Sequence, residues 1–355
     1  EKYPSGVSPL LDAARARARL LTLPVGAQES LQDWLQAEAL DEVAEREALG
    51  GSRPLLLTLP LSIKSDFFGV LLSLEAPGGL RFRERRLDIL NGIAQQAALA
   101  IQSDRLQDAK VVRERLETEV QLARQIQQTF IPETLPARSG WDLAARWWTA
   151  RQVGGDFYDA LELPGGRIGL FIADVADKGI PAALFMALTR TLVRAAVAET
   201  GSPAQALRRV NDLLIPDTRQ GMFVTAVYAV LDPQDGRLVY ANAGHNPPLW
   251  LRRDGTLTRL TRTGMALGVL EGTAIDENTI ELESGDCLLL YTDGLSESFS
   301  PGGELFGEER IIAALQSVQA ESAERILQAI EDSLMAFVGD EVQADDLTML
   351  LARRD

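Results

Sequence analysis

Apolar and polar positions divide the chain into three stretches of different rhythm. In residues 1–103, two apolar runs at 54–61 and 67–75 flank the polar Ser62-Ile63-Lys64-Ser65-Asp66, a pattern that predicts a hairpin. Over residues 84–101, Leu87, Leu90, Ile93, Ala94, Ala97 and Ile101 recur at helical spacing and predict one buried helix face. Residues 29–49, acidic and alanine-rich, predict an earlier helix. Residues 104–131 hold no Gly or Pro, so nothing breaks a helix there before Pro132 and Pro136 end it. Leu106, Ala109, Leu116, Val120, Ala123 and Phe130 follow an a/d series in this stretch, with Arg113 and Gln127 as polar interruptions. That series suits a parallel dimeric coiled coil, and it equally suits a helix packed on its own chain.

Residues 137–355 alternate between the two periodicities. Strands are expected at 141–149, 156–163, 167–174, 222–232, 237–243, 247–252, 257–260, 286–292 and 346–353, and helices at 180–200, 203–214, 308–318 and 321–338. Turn signals such as Pro164-Gly165-Gly166, Asp232-Pro233-Gln234-Asp235-Gly236 and Arg253-Asp254-Gly255 separate several of the strands. Many hairpins with a few long helices predict an α+β layered domain. The expected organisation is therefore an N-terminal domain (1–103), a helical linker (104–133) and a C-terminal α+β domain (134–355).

Composition narrows the function. A net charge of −16 argues against nucleic acid and anionic membranes as partners, because both need a basic face. No apolar run approaches the ~18 residues of a membrane span. Glu1-Lys2-Tyr3-Pro4 does not read as a signal peptide and looks like a domain cut from something longer; the expected location is cytoplasmic. With one cysteine, Cys287, and one histidine, His245, neither a disulfide framework nor a thiolate or multi-histidine metal site can be built within one chain.

The candidate chemistry is carboxylate chemistry. Asp156 follows Gly154-Gly155, Asp174 ends the run Leu170-Phe171-Ile172-Ala173, Asp293 follows Leu290-Tyr291-Thr292, and Asp345 precedes Asp346-Leu347-Thr348. An aspartate at the edge of an apolar strand is costly to desolvate unless something compensates it, and these segments carry no surplus of Arg or Lys. Converging carboxylates would be balanced by divalent cations, and all-oxygen ligation selects hard ions such as Mg²⁺ or Mn²⁺.

Five segments then carry a family resemblance: Val153-Gly154-Gly155-Asp156-Phe157-Tyr158-Asp159; Asp174-Val175-Ala176-Asp177-Lys178-Gly179-Ile180-Pro181-Ala182-Ala183; Ala241-Asn242-Ala243-Gly244-His245-Asn246-Pro247-Pro248; Tyr291-Thr292-Asp293-Gly294-Leu295-Ser296-Glu297; and Asp345-Asp346-Leu347-Thr348. In this order they resemble the PPM (type 2C) metal-dependent serine/threonine phosphatases, nearest the bacterial SpoIIE/RsbU branch. The resemblance implies an antiparallel β-sandwich flanked by helices, with two metal ions at one end. By position, Asp174 is similar to the ligand that bridges both metals and the Val175 carbonyl to a backbone ligand. Asp293 and Asp345 match further direct carboxylates, and Asp156 matches a ligand acting directly or through water. Asp346 is easily confused with Asp345, and the family aligns the first of the pair. Arg151 matches a phosphate-contacting arginine of some relatives or is a solvated strand-end residue. His245 is either a loop-shaping, hydrogen-bonded residue or a general acid; Asp159 and Asp177 read as structural.

The implied activity is hydrolysis of a phosphoserine or phosphothreonine on a partner protein, an anti-anti-sigma protein of a partner-switching pathway in this branch. Residues 67–101 resemble the C-terminal half of a GAF domain, implying a sensory or dimerising module, and the a/d series of 104–131 gives the expectation of a homodimer. The competing reading is a pseudophosphatase or signalling scaffold that binds a partner without turnover.

Overall fold

The computed structural model describes residues 21–24, 55–64, 66–75 and 83–355 apart from 219, 220, 340 and 342. The helix expected at 29–49 lies outside the described residues. Two compact units meet within one long helix, between Leu116 and Glu117.

In the first unit, strands β1 (Leu21–Pro24), β2 (Leu55–Ile63) and β3 (Asp66–Glu75) form an antiparallel sheet in that order. The expected hairpin is β2–β3, in register from Leu55 opposite Glu75 to Leu61 opposite Gly69, then shifted by a bulge at Leu61 and Ser62. Its Leu59 packs with Ala94 of the following helix, and Leu61, Leu71 and Leu90 border them. Ile93, expected on the buried face, is exposed, and Ala98 is buried instead. The small alanines let helix and sheet approach closely where an isoleucine would hold them apart.

The two helices expected at 84–101 and 104–131 are one, α1 (Arg83–Gln128), of 46 residues. Every residue from 103 to 116 is exposed. The second unit is a four-layer sandwich. One sheet takes β4 (Trp141–Trp148), β9 (Leu249–Leu251), β10 (Leu257–Arg259), β12 (Cys287–Tyr291) and β13 (Leu347–Arg354) in the order β10-β9-β12-β13-β4. The other takes β5 (Phe157–Glu162), β6 (Ile168–Val175), β7 (Val224–Leu231), β8 (Arg237–Ala243) and β11 (Asn278–Glu281) in the order β11-β8-β7-β6-β5. Helices α2 (Ile180–Glu199) and α3 (Pro203–Leu214) cover the second sheet, and α5 (Gly307–Ser317) and α6 (Ala323–Val338) cover the first. A single turn, α4 (Asp293–Ser296), follows β12.

Strand parity builds the layers. Along β6, Phe171, Ala173 and Val175 face α2 and α3, while Ile168, Leu170 and Ile172 face the opposite sheet. β12 does the same with Cys287, Leu289 and Tyr291 against α5 and α6, and Leu288 and Leu290 between the sheets. α2 is the one helix of the described residues long and apolar enough to cross a membrane, an exception to the expectation from sequence. It is a core helix here, with Ala182, Phe185, Met186, Val193, Ala196 and Val197 buried.

Candidate active site

The alternation that fills the layer between the sheets also delivers its polar end. Asp174 continues the inward series Ile168, Leu170, Ile172, and Asp156 stands one step before the inward Tyr158 and Ala160 of β5. Since Phe157 pairs with Ala173, the start of β5 and the end of β6 bring these two aspartates side by side. In the other sheet Tyr291 pairs with Met349, so Thr292 and Thr348 meet at the same end, with Asp293 and Asp345 just beyond. The sheets are tied across this end: the Thr348 hydroxyl donates to Asp156 Oδ2 at 3.1 Å, and Trp147 Nε1 donates to the Asp156 carbonyl at 2.8 Å.

The electrostatics are those of crowded anions. Asp156 is 2% exposed. Burial, then the charges of Asp174 and Asp346, hold its carboxyl well above the usual range. Burial first and the Asp293 charge second push Asp174 up to about 7. Asp293 is raised by burial and by Asp345, with the Gly294 N–H and the Lys178 ammonium opposing. Among the described residues, no three His, Cys, Asp or Glu side chains already stand close enough around one point to hold a metal ion. Asp345 engages Lys178 Nζ at 2.7 Å. The donor set nevertheless suits a hard divalent cation: four carboxylates that destabilise one another, plus the Val175 carbonyl, all oxygen. That carbonyl accepts from the Asp177 N–H at 2.7 Å and faces Gly155, where a Cβ would stand 3.0 Å from it.

Asp346 has a different task from Asp345. It is buried, and its two oxygens accept the N–H groups of Ala150 (2.8 Å) and Gly155 (2.7 Å), which pins the loop leading to Asp156. Two glycines are required around it. A Cβ at Gly154 would overlap the Asp346 carboxylate, and one at Gly294 would overlap the Asp346 carbonyl. From the other side the loop is held by Gln127, in the last turn of α1. Its amide donates to the Gly154 carbonyl at 2.6 Å and accepts the Gly154 N–H at 3.1 Å. Gln127 is 3% exposed, so the interruption of the a/d series is a buried clamp on the loop.

The remaining predicted residues separate. Asp159, fully buried on β5, binds Arg194 (2.7 Å) and Arg190 (3.2 Å) of α2, and Arg190 also lies over the Phe130 ring. Arg151 is exposed and makes no hydrogen bond or ion pair among the described residues; its guanidinium lies near Gly179, in the loop that follows Asp174. Cys287 lies in the apolar layer under α5 and α6, and burial pushes its thiol up to about 12. His245 is buried, and burial pushes its imidazole down to about 4, so it is neutral near pH 7. The roles of Gln127, Asp346 and Lys178 escaped the reading of the sequence; for Gln127, nothing local marks a glutamine in a charged helix as buried.

Residues 164–355 match the family described as Stage II sporulation protein E (SpoIIE), which leaves the Asp156 loop just upstream of the match. Protein IcfG of Synechocystis sp. (strain ATCC 27184 / PCC 6803 / Kazusa) is 33% identical over 264 residues, 67% of this chain and 42% of that protein, so the match spans less than half of it. The phosphoserine phosphatase RsbU of Bacillus subtilis (strain 168) is 29% identical over 250 residues, 70% of this chain and 73% of that one. Among solved structures, the SiaA-PP2C domain of Pseudomonas aeruginosa shares the fold, with a TM-score of 0.61 at 22% identity over 69% of this chain and 99% of that one.

Proposed function

This chain belongs to the SpoIIE family, and from that membership we propose that it is a metal-dependent protein serine/threonine phosphatase. The observation that carries the proposal is the convergence of Asp156, Asp174, Asp293 and Asp345 on one end of the layer between the sheets. Mn²⁺ or Mg²⁺, two ions by resemblance to the PPM family, would be held by Asp174, Asp293, Asp345 and the Val175 carbonyl, with Asp156 acting directly or through water. When bound, such ions supply Lewis acidity, which acidifies water and offsets phosphoryl charge.

The chain's own residues do the rest. The apolar layer behind Asp156 and Asp174 excludes bulk water and strengthens the field of the site. Asp346 and Gln127 fix the loop before Asp156 from two directions. Arg151, without a hydrogen bond or ion pair among the described residues and beside the loop after Asp174, would by resemblance to some relatives contact the phosphoryl group. A phosphocysteine route is disfavoured, because Cys287 is buried and held protonated.

The substrate we infer is a phosphorylated anti-anti-sigma protein in the cytoplasm, by resemblance to the SpoIIE/RsbU branch. Residues 1–103 are proposed as a GAF-like module, 104–133 as the linker and 134–355 as the catalytic domain, with a homodimer formed through the linker helix. Support for regulation comes from Gln127, which belongs to α1 and holds the loop of Asp156. The test is phosphate release from phosphorylated anti-anti-sigma proteins with Mn²⁺. Turnover that survives complete chelation, or the absence of turnover on any phosphoserine protein at saturating Mn²⁺, would overturn the reading.

A further inference from the structure

Among the described residues, His245 is a buried imidazole that this chemistry leaves unused. It is 2% exposed and follows β8 in the segment Gly244-His245-Asn246-Pro247-Pro248. Its backbone is fixed twice: the N–H donates to Asn242 Oδ1 at 2.8 Å, and the carbonyl accepts Arg262 Nε at 3.1 Å. Gly244, at φ 75°, presses against the Ala266 backbone, where a Cβ would stand 2.9 Å from the nitrogen, so the turn that presents His245 requires glycine.

The ring lies where the two sheets meet. Nδ1 is 2.7 Å from the hydroxyl of Thr225 on β7. Thr225 is the register partner of Asp174 on β6, so both side chains lie on the inward face at the same height. The chain after His245 runs directly into β9, whose Leu249 pairs with Leu289 of β12, so His245 stands beside the end of β12 that Tyr291 closes, while Nε2 has no hydrogen-bond partner among the described residues. Tyr291 is two residues before Asp293. One imidazole thus spans from the neighbour of one acidic residue to the strand end that carries another. In the tautomer that carries its proton on Nε2, Nδ1 accepts from the Thr225 hydroxyl.

We propose that His245 is a positioning residue that sets the separation of Asp174 and Asp293 across the two sheets, and with it the affinity for the divalent ions. This rests on the metal-dependent reading above. A role as general acid does not fit: the ring is enclosed, and it is neutral near pH 7.

The test uses the full chain and Mn²⁺ alone as probe. Titration calorimetry gives the Mn²⁺ affinity of the wild type, His245→Leu, His245→Gln and Thr225→Val, while p-nitrophenyl phosphate gives kcat at saturating Mn²⁺. We expect His245→Leu to weaken Mn²⁺ binding by about tenfold or more, the scale for groups that orient metal ligands. We expect kcat at saturating Mn²⁺ to be largely kept, and His245→Gln to recover much of the affinity. Thr225→Val, nearly isosteric, should weaken binding in the same direction and gives the answer if His245→Leu does not fold. Unchanged affinity in a folded His245→Leu or in Thr225→Val overturns the proposal. So does a collapse of kcat at saturating Mn²⁺ together with loss of one limb of the pH–rate profile, which would make His245 a proton donor. A wild type that binds no Mn²⁺ removes the metal reading itself, an outcome distinct from a wild type that binds and a variant that binds equally.

Discussion

Two neighbouring aspartates show how much a residue's role depends on where its backbone stands. Asp345 and Asp346 are chemically identical, yet one points to solvent and Lys178, and the other accepts buried backbone N–H groups. Asp345→Asn should therefore weaken Mn²⁺ binding with little change in thermal stability. Asp346→Ala should lower Tm, because it strands the Ala150 and Gly155 amides at about 1–3 kcal/mol each. Calorimetry and thermal melts on both variants check this, and equal loss of Mn²⁺ affinity with no loss of Tm in Asp346→Ala would reverse the assignment. A second residue-scale prediction concerns pH. His245 is depressed from 6.5 to about 4 by burial, so its contribution to stability is complete above pH 6.5 and is lost as pH falls toward 4. Asp156 and Asp174 are raised, so in the metal-free protein they act with the opposite sign, adding stability as pH falls, Asp174 from about 7 downward. The difference in Tm between wild type and His245→Gln, measured in chelator, isolates the histidine. It should move against the wild type between pH 6.5 and 4, and a flat difference would show that burial does not depress the ring.

At the scale of elements, periodicity carried most of the fold. The strands β4 to β10, β12 and β13 and the helices α2, α3, α5 and α6 stand within a few residues of where their apolar rhythm places them, because all but the short β10 bury one face or both. β11 escaped because it is an edge strand with exposed residues, held by its register with β8 rather than by a core pattern. The helical patterns read separately at 84–101 and 104–131 join into one helix, since nothing between them stops a helix. Gln127 was legible only as a flaw in a seam. In the structure it is buried and bonded to both polar groups of Gly154, a partner 27 positions away, and no local rule reports such a contact. Gln127→Ala should leave those two groups unsatisfied, lower Tm and weaken Mn²⁺ binding, whereas Gln127→Glu should keep the acceptor for the Gly154 N–H and lose the donor. If Gln127→Ala binds Mn²⁺ and melts like the wild type, the clamp has no hold on the Asp156 loop.

At the scale of the whole molecule, α1 is the one element shared by both compact units, which meet between Leu116 and Glu117. Val111, Val112, Leu116, Leu122 and Ile126 are exposed along one side of it, the apolar surface that the proposed homodimer would cover. A continuous helix transmits a rotation or a change of pairing as a rigid body, which a flexible linker does not. Its last turn holds Gly154, two residues from Asp156, so a change of pairing at Leu116 and Val120 has a mechanical route to the site. A coupling of about 1–3 kcal/mol is enough to change activity severalfold. Replacing Leu116 and Val120 with Glu should make the protein monomeric and shift basal phosphate release, with every carboxylate of the site intact. Analytical ultracentrifugation reports the first effect and phosphate release the second. Adding Gln127→Ala to that double variant should abolish the shift, because the route from helix to loop is then cut. A variant that becomes monomeric while its activity and Mn²⁺ affinity stay at wild-type values would leave α1 a spacer between independent units.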